Sequence, residues 1–324
     1  ESDEVKNPAT TLSIGGGTQL YAESIVITMR MTPYYTSNGD GLYFLMKDGT
    51  PLHYQTRGFK GDGQRFYYQY GVYSEQIGIP GNDLLMDFDF SIGLFEGDWY
   101  DAAKLYRNWA LTQSWADTKL SSRSDIPIRW KELDLGEARQ LPHSDLNKEI
   151  QSWIEIKNFY ELDHLAVFYW FAAEPVSFDL KPWVSTIVNG LQPHGIDVYV
   201  YANPQTILTD NPLYNSLSQY LCRNLNGQPY IPDGVNAVAD YTNPGWHNYF
   251  ANKAENMATA GIKGMFFEVP VPGHLCYDLP NPVGGINPWK GMRDFMGTTR
   301  SQARQSDNGF SIMYEFGYED YFKV

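Results

Sequence analysis

Two short apolar runs, each ending in a glutamate, constrain the fold of this chain most strongly. The first occupies residues 264–268, Gly-Met-Phe-Phe-Glu, and the second occupies residues 311–315, Ser-Ile-Met-Tyr-Glu. A continuously apolar segment that ends in a carboxylate is typical of a buried parallel strand whose C-terminal end reaches a functional face. The pattern therefore predicts two parallel strands that present Glu268 and Glu315 at the same edge of a sheet.

The chain from residue 128 onward alternates between such apolar runs and segments of helical periodicity. The predicted strands are 128–133, 165–171, 196–201, 264–269 and 311–315, and the predicted helices are 146–159, 181–191, 243–260 and 289–305. A β-α-β-α order implies a parallel sheet with helical crossovers. Both a doubly wound sheet and a (β/α)8 barrel fit this order.

Polar residues at the strand ends favour the barrel. No glycine-rich phosphate loop follows any predicted strand, which disfavours a nucleotide-binding doubly wound sheet. A barrel builds its site from the C-terminal ends of its strands, and polar residues lie near five such ends: Asp134, Glu174, Asn203, Glu268 and Glu315. We therefore predict a TIM barrel. Five strands fall short of the roughly eight that a barrel needs, so we expect further units on a longer polypeptide; a five-stranded open sheet is the competing interpretation.

The first part of the chain has β character of a different kind. Residues 24–30, 65–70 and 83–90 alternate between apolar and polar side chains, and short turns rich in Gly and Asp separate such runs. This pattern predicts an antiparallel β-sandwich. The predicted organisation is a partial β-sandwich over 1–95, a connecting helix and linker over 96–127 with Asp98 as N-cap, and the first five βα units of a TIM-barrel catalytic domain over 128–324.

Composition excludes several classes of function. A net charge of −14 disfavours binding to nucleic acid, because a polyanion would be repelled. The sequence has no apolar run of the ~20 residues that span a bilayer, and its His and Cys spacing matches no metal site. We therefore expect no metal and no cofactor. Cys222 and Cys276 could form a disulfide or remain free.

Paired carboxylates at one sheet edge suit glycoside hydrolysis. That reaction uses one carboxylate as nucleophile or base and one carboxylic acid as proton donor. Neighbouring strands lie ~5 Å apart, so Glu268 and Glu315 could reach the ~5–5.5 Å separation of retaining enzymes. The alternative is that each glutamate caps a loop or pairs with Arg or Lys.

Other side chains near the strand ends are expected to bind an oligo- or polysaccharide. The aromatic content is 15%, and aromatic rings can stack on the apolar faces of sugars. Simple core filling is the alternative for the aromatic residues, and an Asx-type turn before the helix is the favoured alternative for Asp240. The predicted substrate-binding residues are Trp130, Trp170, Tyr201, Asn203, Asp240 and His274.

Four stretches resemble a family of bacterial proteins that is known only as a domain of unknown function and is regarded as TIM-barrel glycoside hydrolases. They are 96–110 around Asp98 and Trp99, 264–268, 276–293 from Cys276-Tyr277-Asp278 to Met292-Arg293, and 314–319. The layout is also similar to that of endo-α-N-acetylgalactosaminidases, which join a β-sandwich to a barrel. That resemblance implies that Glu268 stands where those enzymes have an Asp nucleophile and Glu315 where they have a Glu acid/base, and it implies a secreted or periplasmic location.

The sequence thus predicts a retaining glycoside hydrolase that acts on an α-linked glycan with Glu268 and Glu315. A non-catalytic carbohydrate-binding protein is the alternative, and a polysaccharide lyase with a Tyr or His base is a third, weaker one.

Overall fold

A computed structural model describes the larger part of the chain. The described residues are 5–7, 10–12, 31–36, 38–47, 54–60, 66–72, 81, 88–116, 118–268, 276–277 and 288–314. Glu315 and His274, two of the predicted site residues, lie outside them.

The N-terminal part contains antiparallel sheets. Strands β1 (Val5–Asn7) and β2 (Thr10–Leu12) pair with each other, β3 (Met31–Tyr35) and β4 (Asp40–Met46) pair in a sheet that is completed by β7 (Phe90–Glu96), and β5 (Tyr54–Lys60) pairs with β6 (Phe66–Val72). The antiparallel pairing agrees with the sequence pattern. A sandwich made from these sheets stays a prediction.

Helix α1 (Trp99–Ala110) covers one face of the three-stranded sheet. Asp98 is its N-cap, as predicted: its side chain accepts a hydrogen bond from the Tyr100 backbone N–H at 2.8 Å, and the Asp98 backbone N–H donates to the Asp101 carboxylate at 3.2 Å. Gly97 precedes the cap with a φ of 114°, and a Cβ there would lie 2.0 Å from the Asp101 carboxylate, so only glycine fits.

The C-terminal part is an α/β fold around a parallel sheet. Its strands are β8 (Leu135–Arg139), β9 (Leu165–Tyr169), β10 (Ile196–Ala202), β13 (Gly264–Phe267) and β14 (Ser311–Tyr314), in the spatial order β14-β13-β10-β9-β8. The crossover helices are α3 (Leu146–Phe159), α4 (Val184–Leu191), α6 (Pro244–Thr259) and α7 (Pro288–Ala303). The segment between β10 and α6 adds the antiparallel strands β11 (Thr206–Leu208) and β12 (Asn236–Val238) and the short helix α5 (Tyr214–Leu217).

All four crossover helices pack on the same face of the parallel sheet. Trp153 of α3 donates a hydrogen bond to the Tyr169 hydroxyl at 3.0 Å, and the ring of Trp183, at the start of α4, lies 5.3 Å from the Tyr169 ring. On the same face, the ring of Phe250 in α6 lies 5.4 Å from the Phe267 ring, and the ring of Phe295 in α7 lies 6.0 Å from it. A doubly wound sheet has helices on both faces, so this arrangement excludes that alternative.

The sheet is open in the part of the chain that the structure describes. Its five strands run from β14 to β8, and within the described ranges no strand pairs with either outer edge. The α/β class is therefore established, whereas a closed TIM barrel stays a prediction. None of the described helices is long and apolar enough to cross a membrane.

The prediction of a first strand over residues 128–133 is wrong. Residues Ile128–Lys131 form a single helical turn, α2, and the strand begins later, at Leu135. The alternation of Ile128 and Trp130 also fits one turn of helix, and Pro127 starts that turn with a φ of −57°. Asp134 consequently lies at the start of β8, where its carboxylate accepts hydrogen bonds from the backbones of residues 163 and 164 at 2.8 and 2.9 Å. Its expected position at a C-terminal strand end is wrong as well.

Candidate functional site

Glu268 lies at the C-terminal edge of the parallel sheet, directly after β13. Its backbone N–H donates to the Ala202 carbonyl of β10 at 3.1 Å, so Glu268 continues the ladder between these strands. Successive side chains along a strand point to opposite faces. Phe267 packs against helices α6 and α7, so Glu268 belongs to the other face, together with Tyr201 and Asn203 on the neighbouring strand.

Tyr201 and Asn203 hold one oxygen of the Glu268 carboxylate. The Tyr201 hydroxyl donates to Oε2, and Asn203 Nδ2 donates to the same oxygen at 2.6 Å. Within the described ranges, Oε1 of Glu268 accepts no hydrogen bond. Hydrogen bonds to a carboxylate are charge-assisted and strong, so Oε2 is anchored while Oε1 keeps its lone pairs for another partner.

A row of aromatic rings lies beside Glu268 on the face of the sheet opposite the four crossover helices. The rings of Trp170 and Tyr201 stack at 4.9 Å with an angle of 25° between their planes, and Phe266 lies 5.9 Å from Trp170. The three side chains come from neighbouring strands, and each is half-buried. They form an apolar floor next to a carboxylate, which is a suitable surface for the C–H face of a sugar.

A disulfide ties together two segments that follow strand ends. Cys222 lies between β10 and α6, Cys276 lies in the segment after Glu268, and the structure joins them with a Cα–Cα distance of 4.9 Å. The sequence left this pairing open. Both cysteines are buried with Val238, and the Tyr277 backbone donates to the Arg223 carbonyl at 3.0 Å. The two segments are therefore fixed to each other at the edge that carries Glu268.

Asp240 is buried within a turn. It is 4% exposed, and its Oδ1 accepts hydrogen bonds from the backbone N–H and the hydroxyl of Thr242 at 2.8 and 2.7 Å. Asn243 then caps α6 by accepting from the Gly245 backbone at 2.8 Å. This is the Asx-type turn that the sequence offered as the alternative, and it accounts for Asp240 without a sugar.

Trp130 lies far from Glu268 along the strands. Its ring packs against Tyr199 at 5.1 Å and Phe168 at 6.3 Å, and its neighbour Arg129 lies 3.2 Å from Asp197 near the start of β10. These contacts place α2 against the N-terminal half of the sheet. Trp130 is half-buried and packs on aromatic residues of the sheet, as the core-filling alternative expects, and its contact with substrate stays a prediction.

The sequence reading missed a buried carboxylate, Glu149 of α3. It is 1% exposed and accepts hydrogen bonds from Trp153 Nε1 at 2.7 Å, from the Tyr169 hydroxyl at 2.8 Å and from the His143 backbone at 2.9 Å. Arg139 Nε lies 3.4 Å away. Burial and the bond to Glu149 raise the pKa of Tyr169 well above its usual value. The available signal was the i,i+4 spacing of Glu149 and Trp153 on one helix face.

Metal ligation has no support within the described ranges, which contain no group of three or more His, Cys, Asp or Glu that could hold an ion.

Comparison with known families identifies the family to which the chain belongs. Residues 84–324 match the family described as "Domain of unknown function (DUF6259)", and this match spans more than half of the sequence. The chain belongs to the DUF6259 family. A search of curated proteins finds no match.

Solved structures of glycoside hydrolases share the fold of this DUF6259 chain. A complex of the α-N-acetylgalactosaminidase NagBb from Bifidobacterium bifidum with GalNAc has a TM-score of 0.64 at 11% identity, covering 90% of this chain and 51% of that one. The α-galactosidase TtGalA from Thermus thermophilus with stachyose has a TM-score of 0.54 at 11% identity, covering 88% and 55%. A GH31 dextranase from Flavobacterium johnsoniae with glucose has a TM-score of 0.53 at 12% identity, covering 91% and 35%.

These similarities show a general glycosidase-like fold. The DUF6259 chain spans about half the length of the first two structures, 51% and 55%. Activity, substrate and mechanism therefore belong to the proposal that follows.

Proposed function

We propose that this DUF6259 chain carries the catalytic residues of a retaining glycoside hydrolase that acts on an α-linked glycan. The observation that carries the proposal is the anchored carboxylate of Glu268 at the C-terminal end of β13, with Oε2 held by Tyr201 and Asn203. A preorganised carboxylate beside an aromatic floor is what nucleophilic attack on a bound sugar requires. The fold shared with α-glycosidases supports the same reaction class.

Each of two glutamates has one role in the proposed mechanism. Glu268 Oε1 attacks the anomeric carbon and forms a glycosyl ester, while Glu315 protonates the leaving oxygen and then activates water. The register between β13 and β14 supports this pairing, because Phe267 lies opposite Tyr314 and the two glutamates follow these residues in sequence. Strands ~5 Å apart suit the carboxylate separation of a retaining enzyme.

The fold around this site and its cellular location are also part of the proposal. We propose that the parallel sheet is part of a TIM barrel, because all four crossover helices lie on one face of the sheet, and that the N-terminal sheets form part of a β-sandwich. The proposed location is extracellular or periplasmic, and the Cys222–Cys276 disulfide supports it because disulfides persist in oxidising compartments.

The test is turnover of aryl α-glycosides by the full-length protein. We expect hydrolysis by the wild type, a loss of about 10²–10⁴-fold in Glu315→Gln and a loss at least as large in Glu268→Gln. Glu155→Gln, on the exposed face of α3, is the matched control and keeps full activity. Unchanged turnover in Glu268→Gln rejects the assignment.

The aromatic row supports a second function, a carbohydrate-binding protein without catalysis. Stacked rings bind sugars whether or not a reaction follows. This alternative predicts binding on a glycan array without hydrolysis, with binding lost in Trp170→Ala and retained in Glu268→Gln. The third alternative, a polysaccharide lyase, predicts unsaturated products that absorb ultraviolet light. Hydrolysis without such products excludes this alternative.

A further inference from the structure

The side-chain amide of Asn203 has one defined orientation. Its Oδ1 accepts hydrogen bonds from two backbone N–H groups, those of Gln205 at 3.0 Å and Thr206 at 3.2 Å. An amide NH₂ cannot accept these bonds, so the oxygen must face the backbone and Nδ2 must face away from it. Nδ2 then lies 2.6 Å from Oε2 of Glu268, which can only accept when ionised. Both ends of the amide thus give the same assignment.

The backbone that fixes Asn203 is itself held firmly. Thr206 is the first residue of β11 and pairs with Val238 of β12, and the Ala239 N–H donates to the Gln205 carbonyl at 2.8 Å. Val238 is buried against the Cys222–Cys276 disulfide. The donors that orient Asn203 therefore belong to a segment that is paired with β12 and cross-linked by the disulfide.

A glutamate needs such a restraint more than an aspartate does. Its longer side chain has an additional torsion, so the carboxylate can rotate to present either oxygen. The Tyr201 hydroxyl and Asn203 Nδ2 both bind Oε2, and together they prevent that exchange. Oε1 is left as the oxygen that can form a bond.

We propose that Asn203 is a positioning residue: it holds Oε2 of Glu268 and so selects Oε1 as the reacting oxygen, rather than contacting the sugar. This inference rests on the proposed function. It replaces the sequence-based expectation that Asn203 binds substrate directly, and it assigns the segment between β10 and α6 a part in the reaction.

Two substitutions of Asn203 test this role by kinetics. Asn203→Ala removes the donor and is expected to lower kcat by about 10–100-fold with little change in KM, because misplacement of a reacting group slows the chemical step. Asn203→Asp keeps the acceptor for the Gln205 and Thr206 backbones, so the loop stays folded, but it puts a second carboxyl group beside Oε2. The two backbone N–H groups favour the ionised form of the new carboxyl group, and its charge disfavours ionised Glu268, so the acid limb of the pH–rate profile moves to higher pH.

Asn224→Asp is the matched control. Asn224 Oδ1 also accepts two backbone hydrogen bonds, from Asn226 at 2.9 Å and Gln228 at 3.1 Å, in the same segment and without contact to Glu268. It is expected to leave kcat, KM and the pH profile unchanged. A raised KM with unchanged kcat in Asn203→Ala indicates direct sugar contact and overturns the proposal, as does an unmoved acid limb in Asn203→Asp.

Failure of the proposed function gives a different result. In that case the wild type and Glu268→Gln have the same turnover, and the reacting-oxygen role of Asn203 is overturned with it. A ¹³C NMR titration of the Glu268 carboxyl group detects the contact between Glu268 and residue 203 without a measurement of turnover. Asn203→Asp is expected to move the titration midpoint to higher pH and Asn224→Asp to leave it in place, and equal midpoints in both variants overturn the contact itself.

Discussion

Removal of the Cys222–Cys276 disulfide is expected to lower the free energy of unfolding substantially. The bridge joins positions 54 residues apart. A cross-link restricts the unfolded chain, and the loop-closure relation gives about 4 kcal/mol at 25 °C for a loop of this length. Measured losses often fall below the relation, so we expect about 2–4 kcal/mol for Cys222→Ala/Cys276→Ala.

Urea unfolding followed by tryptophan fluorescence measures this loss. Each single alanine variant already breaks the bridge, so each is expected to lose nearly as much as the double variant, which makes the effects strongly non-additive. Wild type unfolded in the presence of a thiol reductant serves as a control that keeps both side chains. Equal unfolding free energies for oxidised wild type and double variant, or additive losses in the single variants, would refute the reasoning.

Three further predictions concern stability and are checked by urea unfolding. Glu149→Ala removes the acceptor of the buried Tyr169 hydroxyl and of the His143 backbone N–H and is expected to cost about 2–5 kcal/mol; a loss below about 1 kcal/mol would contradict it. Gly291→Ala puts a Cβ 1.9 Å from the Tyr241 carbonyl and is expected to cost about 2–4 kcal/mol, against no loss in Ser301→Ala on the exposed face of the same helix. The hydrogen bond from Arg123 lowers the pKa of Asp125 from 3.8 to about 2. The carboxylate thus stabilises the fold above about pH 4 and loses this effect as pH falls through about 2. Because Asp125 is 38% exposed, we expect Asp125→Asn to cost only about 1 kcal/mol at pH 7, and we expect this cost to disappear as pH falls through about 2.

Local signals in the sequence predicted much of the fold. The cap at Asp98 is confirmed, as are buried parallel strands at β9, β10 and β13. Gly261 ends the helical segment with a φ of 90°, which glycine adopts readily. These features depend on a few neighbouring residues, so a pattern in the sequence is enough to find them.

Features that depend on tertiary packing could not be predicted from the sequence. The segment 128–133 is too short for its periodicity to distinguish a helix from a strand. In the structure, Arg129 and Trp130 of the helical turn contact a distant strand. The pairing of Cys222 with Cys276 required the folded course of two long segments. The groups that donate hydrogen bonds to the buried carboxylate of Glu149 lie on two elements and a loop, so no single stretch of sequence reveals them.

The candidate site was partly predictable for the same reason. Strand-end logic identified Glu268, Tyr201 and Asn203 as neighbours, because parallel strands end at one edge. It could not tell that Tyr201 and Asn203 bind Glu268 itself, since that depends on side-chain torsions. For Asp240, the structure shows the Asx-type turn that the sequence pattern favoured, and contact with substrate stays a prediction.

Azide rescue of Glu268→Gly tests the central claim most directly. With the nucleophile removed and Glu315 in place, azide can attack an aryl α-glycoside from the opposite face of the sugar. The account predicts that Glu268→Gly is inactive alone, that azide restores turnover, and that ¹H NMR identifies the product as the β-glycosyl azide. Wild-type turnover in Glu268→Gly without azide would contradict the assignment of Glu268 as the nucleophile.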